Sequence, residues 1–258
     1  MCGSGDDSAN EPRAPLVGAA ARRALFSTAA LVLGLLAYSN LDAWRSLRTP
    51  HPMSTGPNFR HLSVLALVLV WGRAEGLTRH QLGLGSGRMA RGVAWGLFAG
   101  AAVSIPVRLF FAFPLVSREA ITQPEFTGLS LRRLFWLLCA QFLLSTAVFE
   151  EVAFRGALNA QLARLFGVKP ALVIGGAVFA AWHCVITWYN LSRSNLPRQL
   201  FWPLYAGAMA VLCAAGVIFG MLRLKTGHLA APILAHWLIV VNIVVAVARP
   251  RSRPTDGG

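Results

Sequence analysis

Phe149-Glu150-Glu151-Val152-Ala153-Phe154-Arg155-Gly156 sets two adjacent acids and an arginine inside an otherwise apolar, helix-forming run. The 258-residue chain has ten acidic residues. The other eight, Asp6, Asp7, Glu11, Asp42, Glu75, Glu119, Glu125 and Asp256, lie outside the apolar runs or at their ends. An ionisable group within a long hydrophobic segment is costly, and by default it marks a functional site. Glu151 and Arg155 are spaced i,i+4, so they share a helix face and can pair. Glu150 is rotated about 100° from Glu151 and can address something else. The plainer alternative is an acidic pair at a helix end among lipid headgroups.

The surroundings of this octapeptide define the fold class. Mean hydropathy is +0.56. Hydrophobic residues make up 55% of the chain and charged residues 13%, against about 25% charged in a typical soluble domain. Several apolar runs approach the ~20 residues needed to cross a bilayer. The expectation is an all-α, polytopic membrane helix bundle of about seven spans, with six to eight possible. The runs cover about 24–44, 59–71, 89–116, 131–166, 170–188, 200–222 and 229–248.

Residues 1–20 read as a disordered polar tail and 21–130 as N-terminal membrane helices and loops. Residues 131–248 form the core that carries the chemistry, and 249–258 a basic tail. The 131–166 run would be roughly 54 Å long as an α-helix, so it must protrude, tilt or break, with Gly156 and Gly167 as break and stop points. Pro106 is expected to kink the third span. Arg108, in the same span, reads as a snorkelling or structurally paired cation.

The net charge of +14 does not indicate nucleic-acid binding. The basic residues form short clusters between apolar runs, such as Arg22-Arg23, Arg88/Arg91, Arg132-Arg133 and Arg223/Lys225. That pattern anchors helix ends to lipid headgroups, which makes membrane lipids the expected partners. Lys and Arg divide evenly between the two sides of a seven-span arrangement, so charge does not orient the chain. The four cysteines, Cys2, Cys139, Cys184 and Cys213, have no paired spacing and read as free thiols.

Two further apolar segments each hold one histidine: Val178-Phe179-Ala180-Ala181-Trp182-His183 and Ala231-Pro232-Ile233-Leu234-Ala235-His236-Trp237. Carboxylates and histidines buried together suit general-base chemistry on water, with a histidine orienting the water or donating to a developing oxyanion. The same side chains could hold a divalent metal, although no HExxH spacing is present. His51, His61, His80 and His228 lie in loops or at helix ends and make no such claim.

The segment Glu150-Glu151-Val152-Ala153-Phe154-Arg155 resembles the EExxxR motif of the CAAX prenyl endopeptidase and bacteriocin-processing (CPBP) family, the glutamic intramembrane proteases. Phe179-Ala180-Ala181-Trp182-His183 is similar to that family's FxxxH motif, and Thr226 to His236 resembles the approach to its third. The resemblance covers about Leu131 to Ala248 and implies a membrane-embedded peptidase that uses neither metal nor other cofactor. It implies that Glu150 and His183 activate water and that Glu151 is the supporting acid with Arg155 as its partner. His236 would help stabilise the oxyanion. Family members share that last role with an Asn four residues after the final histidine, where this chain has Val240. Asn242, two residues further on, points to a different side of an ideal helix.

The expected activity is endoproteolysis of a membrane-anchored peptide or protein, as maturation or removal of a C-terminal tail. The 22 Arg against 2 Lys point to a GC-rich bacterial genome and to a cytoplasmic (inner) membrane. Two other readings stand beside this one. The first is a weak or inactive family member serving as a membrane scaffold or immunity protein, and the second a transporter that relays protons through the Glu pair.

Overall fold

The computed structural model describes residues 18–48, 58–85, 88–112, 129–192 and 197–247. Most of the expected N-terminal tail, nearly all of the polar loop expected at 119–130 and the basic C-terminal tail lie outside the described residues. Within them the chain forms eight helices and no strand. They are α1 (Gly18–Arg48), α2 (Phe59–Ala74), α3 (Met89–Ala112), α4 (Leu131–Phe166), α5 (Val168–Trp182), α6 (Cys184–Ser192), α7 (Arg198–Thr226) and α8 (Ala230–Val247).

Five helices (α1, α3, α4, α7 and α8) are long and apolar enough to cross a membrane. The α5–α6 pair, bent by 44° at a short break, makes a possible sixth. At 16 residues, α2 is only about 24 Å long and falls short of the usual span. The seven apolar runs thus correspond to five full-length helices, one bent pair and one short helix.

The long helix α4 solves its length problem without breaking. It runs 36 residues from Leu131 to Phe166. Two stretches, Leu137–Val148 and Glu151–Leu158, are wound as the wider π form. The hydroxyls of Ser145 and Thr146 reach back five residues to the carbonyls of Ala140 and Gln141. Wider winding stacks more residues per unit length, and such turns concentrate at functional sites. Gly156, expected as the break, is instead a close-approach point, where an added Cβ would lie 3.0 Å from the carbonyl of Leu82. Gly167 does end the helix, with a φ of +84° that side chains other than hydrogen rarely allow.

Helices α3 and α8 lie side by side and run in the same direction. Gly92, Gly96 and Gly100 recur every four residues along the shared face, a pattern of small residues that lets helices approach closely in lipid. A Cβ at Gly96 would come within 2.6 Å of the Ala231 carbonyl, and one at Gly100 within 2.8 Å of a Leu238 methyl. Further along the seam, Arg108 Nε donates to Asn242 Oδ1 at 2.6 Å, and Asn242 Nδ2 donates to Ser104 Oγ at 2.8 Å. Arg108 therefore has a structural partner, and α3 continues through Pro106 to Ala112.

At the opposite end of this seam the bundle is tied by polar contacts. Glu75, just past α2, accepts from Ser27 of α1 at 2.7 Å and from Gln161 of α4 at 2.9 Å. Arg164 donates to the Glu75 carbonyl at 2.8 Å. The turn before α8 is pinned by a backbone bond from Leu229 to Gly83 at 2.9 Å and by Arg223 donating to the carbonyls of His80 and Gln81. His228 Nδ1 accepts from the Ala230 amide at 2.9 Å and so caps the first turn of α8. These ties set the depth of α8, whose His236 lies six residues, or about 9 Å, below Ala230.

Candidate active site

Three helices bring the sequence-predicted residues together: Glu150, Glu151 and Arg155 from α4, His183 from the α5–α6 break and His236 from α8. Glu150 is 4% exposed, Glu151 0% and Arg155 2%. This burial removes the plain reading of an acidic pair among headgroups. The two acids diverge as their helical offset requires, and each takes its own partners.

Glu151 belongs to a fixed ion-pair system. Its Oε1 accepts from Arg155 Nη1 at 3.0 Å and lies 2.9 Å from His236 Nδ1. The Arg155 guanidinium is held against aromatic faces, 3.9 Å from the Phe179 ring centroid and 5.2 Å from that of Phe219. Desolvated cation–π contacts of this kind contribute about 2 kcal/mol. Phe179 thus packs against the arginine, one turn before the histidine of its own motif. His236 stacks on Phe219, with ring centroids 5.6 Å apart.

Glu150 is oriented differently. Its Oε1 accepts from the Trp182 indole N–H at 3.3 Å. Its Oε2 is buried without a hydrogen-bond partner among the described residues. That oxygen faces His183 Nε2 at 3.7 Å and His236 Nε2 at 4.0 Å, both too long for direct hydrogen bonds. Two imidazoles and one carboxylate oxygen therefore surround a common point.

The partners also assign the tautomers. His183 Nδ1 lies 2.9 Å from the Phe179 carbonyl, which can only accept, so Nδ1 carries the proton and neutral His183 presents a lone pair at Nε2. The carbonyl is free because the His183 amide turns back one residue short, to Ala180 at 2.9 Å. The helix break is therefore what turns this side chain toward Glu150.

Asn40 of α1 secures that break. Its Nδ2 donates to the Ala181 carbonyl at 3.3 Å and its Oδ1 accepts from the Val185 amide at 3.2 Å, while Ser39 donates to the Trp182 carbonyl at 2.8 Å. Neither residue stands out in the sequence. A lone Asn within an apolar helix resembles any other polar residue there, and only its partners 141 and 145 positions away give it meaning.

His61, set aside above as a helix-end residue, is closer to the site than its position suggests. It lies in the first turn of α2, stacks on Phe149 at 5.2 Å and meets Tyr38 edge-on at 5.7 Å. Its Nδ1 is 2.7 Å from the Ser145 carbonyl, and the Asn58 amide donates to Ser145 Oγ at 2.7 Å. The start of α2 is thereby latched to the π-wound turn preceding Glu150. Ser145, inside the π-wound stretch, offers both contacts from one residue.

The position expected to hold a second oxyanion donor is apolar in its surroundings as well as its identity. Val240 packs against the cluster of Leu137, Val244 and Val247. Asn242 is committed to Arg108 and Ser104 on α3 and does not replace it. Among the described residues, no group of three or more His, Cys, Asp or Glu is disposed to hold a metal ion.

Residues 132–242 match the family model of the Type II CAAX prenyl endopeptidase Rce1-like proteins. This stretch is an Rce1-like domain. It runs from the second residue of α4 to Asn242 of α8 and contains all six residues named above for the two acids, the arginine, Phe179 and the histidines. The Rce1-like family is one of proteases, within the CPBP group that the motifs resemble. No curated protein and no solved structure matched the chain.

Proposed function

We propose that the Rce1-like domain is a glutamic intramembrane endopeptidase. The observation that carries this reading is the convergence of Glu150 Oε2, His183 Nε2 and His236 Nε2 from three separate helices. A water at their common point donates one hydrogen to Glu150 Oε2 and the other to the His183 lone pair. Its own lone pair is then directed at a carbonyl carbon. As the C–O bond forms, Glu150 takes the proton as general base. The same carboxyl returns it to the departing amine nitrogen when the C–N bond breaks, so the enzyme ends unchanged.

His236 has a narrower role than a generic donor. Its Nδ1 faces Glu151 Oε1, which also accepts from Arg155, so Nδ1 supplies a hydrogen of its own. Only the imidazolium then has a further N–H at Nε2 to give the oxyanion. Glu151, fixed by Arg155, supports that cation, which holds both its protons throughout the cycle and lends the oxyanion a hydrogen bond only. Trp182 holds the idle oxygen of Glu150 and so aims the active one.

The substrate class is a membrane-anchored peptide or protein cut near the membrane face that lies beside Ala230, with maturation or tail removal as the outcome. The setting is a bacterial cytoplasmic membrane, and the hydrolysis is independent of metal. The decisive assay compares cleavage of membrane-anchored peptides by the reconstituted wild type and Glu150→Gln. Cleavage should fall to background in the variant while its thermal unfolding stays close to wild type; equal cleavage overturns the assignment. Elemental analysis of active protein tests metal independence, and stoichiometric zinc lost in His236→Ala would refute it.

Val240 supports a second reading, a slow or silent protease kept as a scaffold or immunity protein. Loss of one oxyanion donor typically costs ~10²–10³ in rate. In that case Glu150→Gln leaves the cellular phenotype intact.

A further inference from the structure

An open groove of about 990 Å³ lies where α2 ends, at the same end of the bundle as the α8 cap. Leu69, Leu77, Leu82 and Leu84 supply its walls, and Arg73 and Arg79 are also in its lining. Both arginines are exposed, and neither guanidinium has a hydrogen-bond or ion-pair partner among the described residues. The nearest acid does not neutralise them, because Glu75 turns its carboxylate inward to Ser27 and Gln161. Two unpaired cations on an apolar groove at a helix end match an anion that carries a hydrocarbon chain.

We propose that this groove seats an anionic phospholipid. The phosphate sits between Arg73 and Arg79, and an acyl chain lies along Leu69 and Leu84. A free phosphate would use the cations and leave the leucine walls wet, whereas a neutral lipid would fill the walls and leave both cations unanswered. Guanidinium groups suit the phosphate oxygens because they donate in a planar fork.

The seat is separate from the Glu150 centre, but its inner wall is shared with the helix that carries that centre. Leu77 and Leu82 pack over Gly72, and the Leu82 carbonyl reaches the Gly156 close-approach point. Gly156 immediately follows Arg155. The binding proposal stands whether or not the domain is an active protease.

The test is native mass spectrometry of the full chain in detergent, titrated with phosphatidylglycerol and, separately, with phosphatidylcholine. Phosphatidylglycerol should bind wild type at least about tenfold more tightly than phosphatidylcholine, and the double variant Arg73→Gln/Arg79→Gln should lose that preference. Arg73→Lys/Arg79→Lys, which keeps the charge, should retain most of it. Lys169→Gln, an exposed cation at the same end of the bundle but outside the groove, should behave as wild type. Unchanged phosphatidylglycerol affinity in Arg73→Gln/Arg79→Gln overturns the proposal, and so does an equal loss in Lys169→Gln. Displacement of the lipid by millimolar inorganic phosphate would reassign the groove as a phosphate site. Circular dichroism of each variant separates lost binding from lost fold.

Discussion

At the residue scale, the Glu150-Glu151 pair works because neighbours in sequence become strangers in space. One acid is enclosed by Arg155 and His236, while the other keeps one oxygen open to two imidazoles. Arg155→Met should leave Glu151 buried without its cation, and removing one member of a buried pair costs roughly 3–5 kcal/mol. Denaturant unfolding in nanodiscs would register that loss, and a change within about 0.5 kcal/mol would mean the pair is not a structural unit. Val240→Asn tests the missing donor. It should raise kcat by up to about a hundredfold with little change in KM, the pattern of an interaction made only in the transition state. An unchanged kcat would show that the donor is not limiting. The acids, the arginine and the two histidines stand out in the amino-acid sequence because ionisable groups are rare in apolar runs. Trp182, Asn40 and His61 do not, since their roles depend on contacts between residues 32, 145 and 84 positions apart.

At the scale of the elements, sequence periodicity locates every apolar run but not how α4 is wound. The length of the 131–166 run demands some accommodation, and a glycine break is the natural expectation. Within the π-wound stretches Ser145 meets the start of α2 and Glu151 meets His236 of α8, contacts that no sequence period encodes. The glycine ladder on α3 is likewise present in the sequence, yet its meaning needs the facing Ala231 and Ala235 of α8. The cap of α8 gives a prediction with a defined sign. His228 accepts through Nδ1 and must be neutral to do so. Burial, followed by the Arg223 charge, lowers its pKa below the ordinary 6.5. The unfolded chain then binds the proton more readily than the folded one, so the cap's contribution is complete above about pH 6.5 and shrinks as the pH falls below it. The unfolding temperature of wild type should drop as the pH is lowered from about 7.5 to 5, and His228→Gln should flatten that slope. Identical slopes would remove His228 from the cap.

On the scale of the whole molecule, the bundle is held at one end by polar ties and along its length by close apolar seams. The side-by-side, same-direction pairing of α3 and α8 has a consequence for the order in which the protein is made. During synthesis α3 emerges more than a hundred residues before α8, so its glycine face lacks the α8 partner until that helix enters the bilayer. His236 arrives on α8. A ribosome still occupied with α7 therefore carries a chain with both acids and His183 in place but no complete site. Assembly of the Glu150, Glu151, His183 and His236 cluster is thus tied to the docking of α8 against α3.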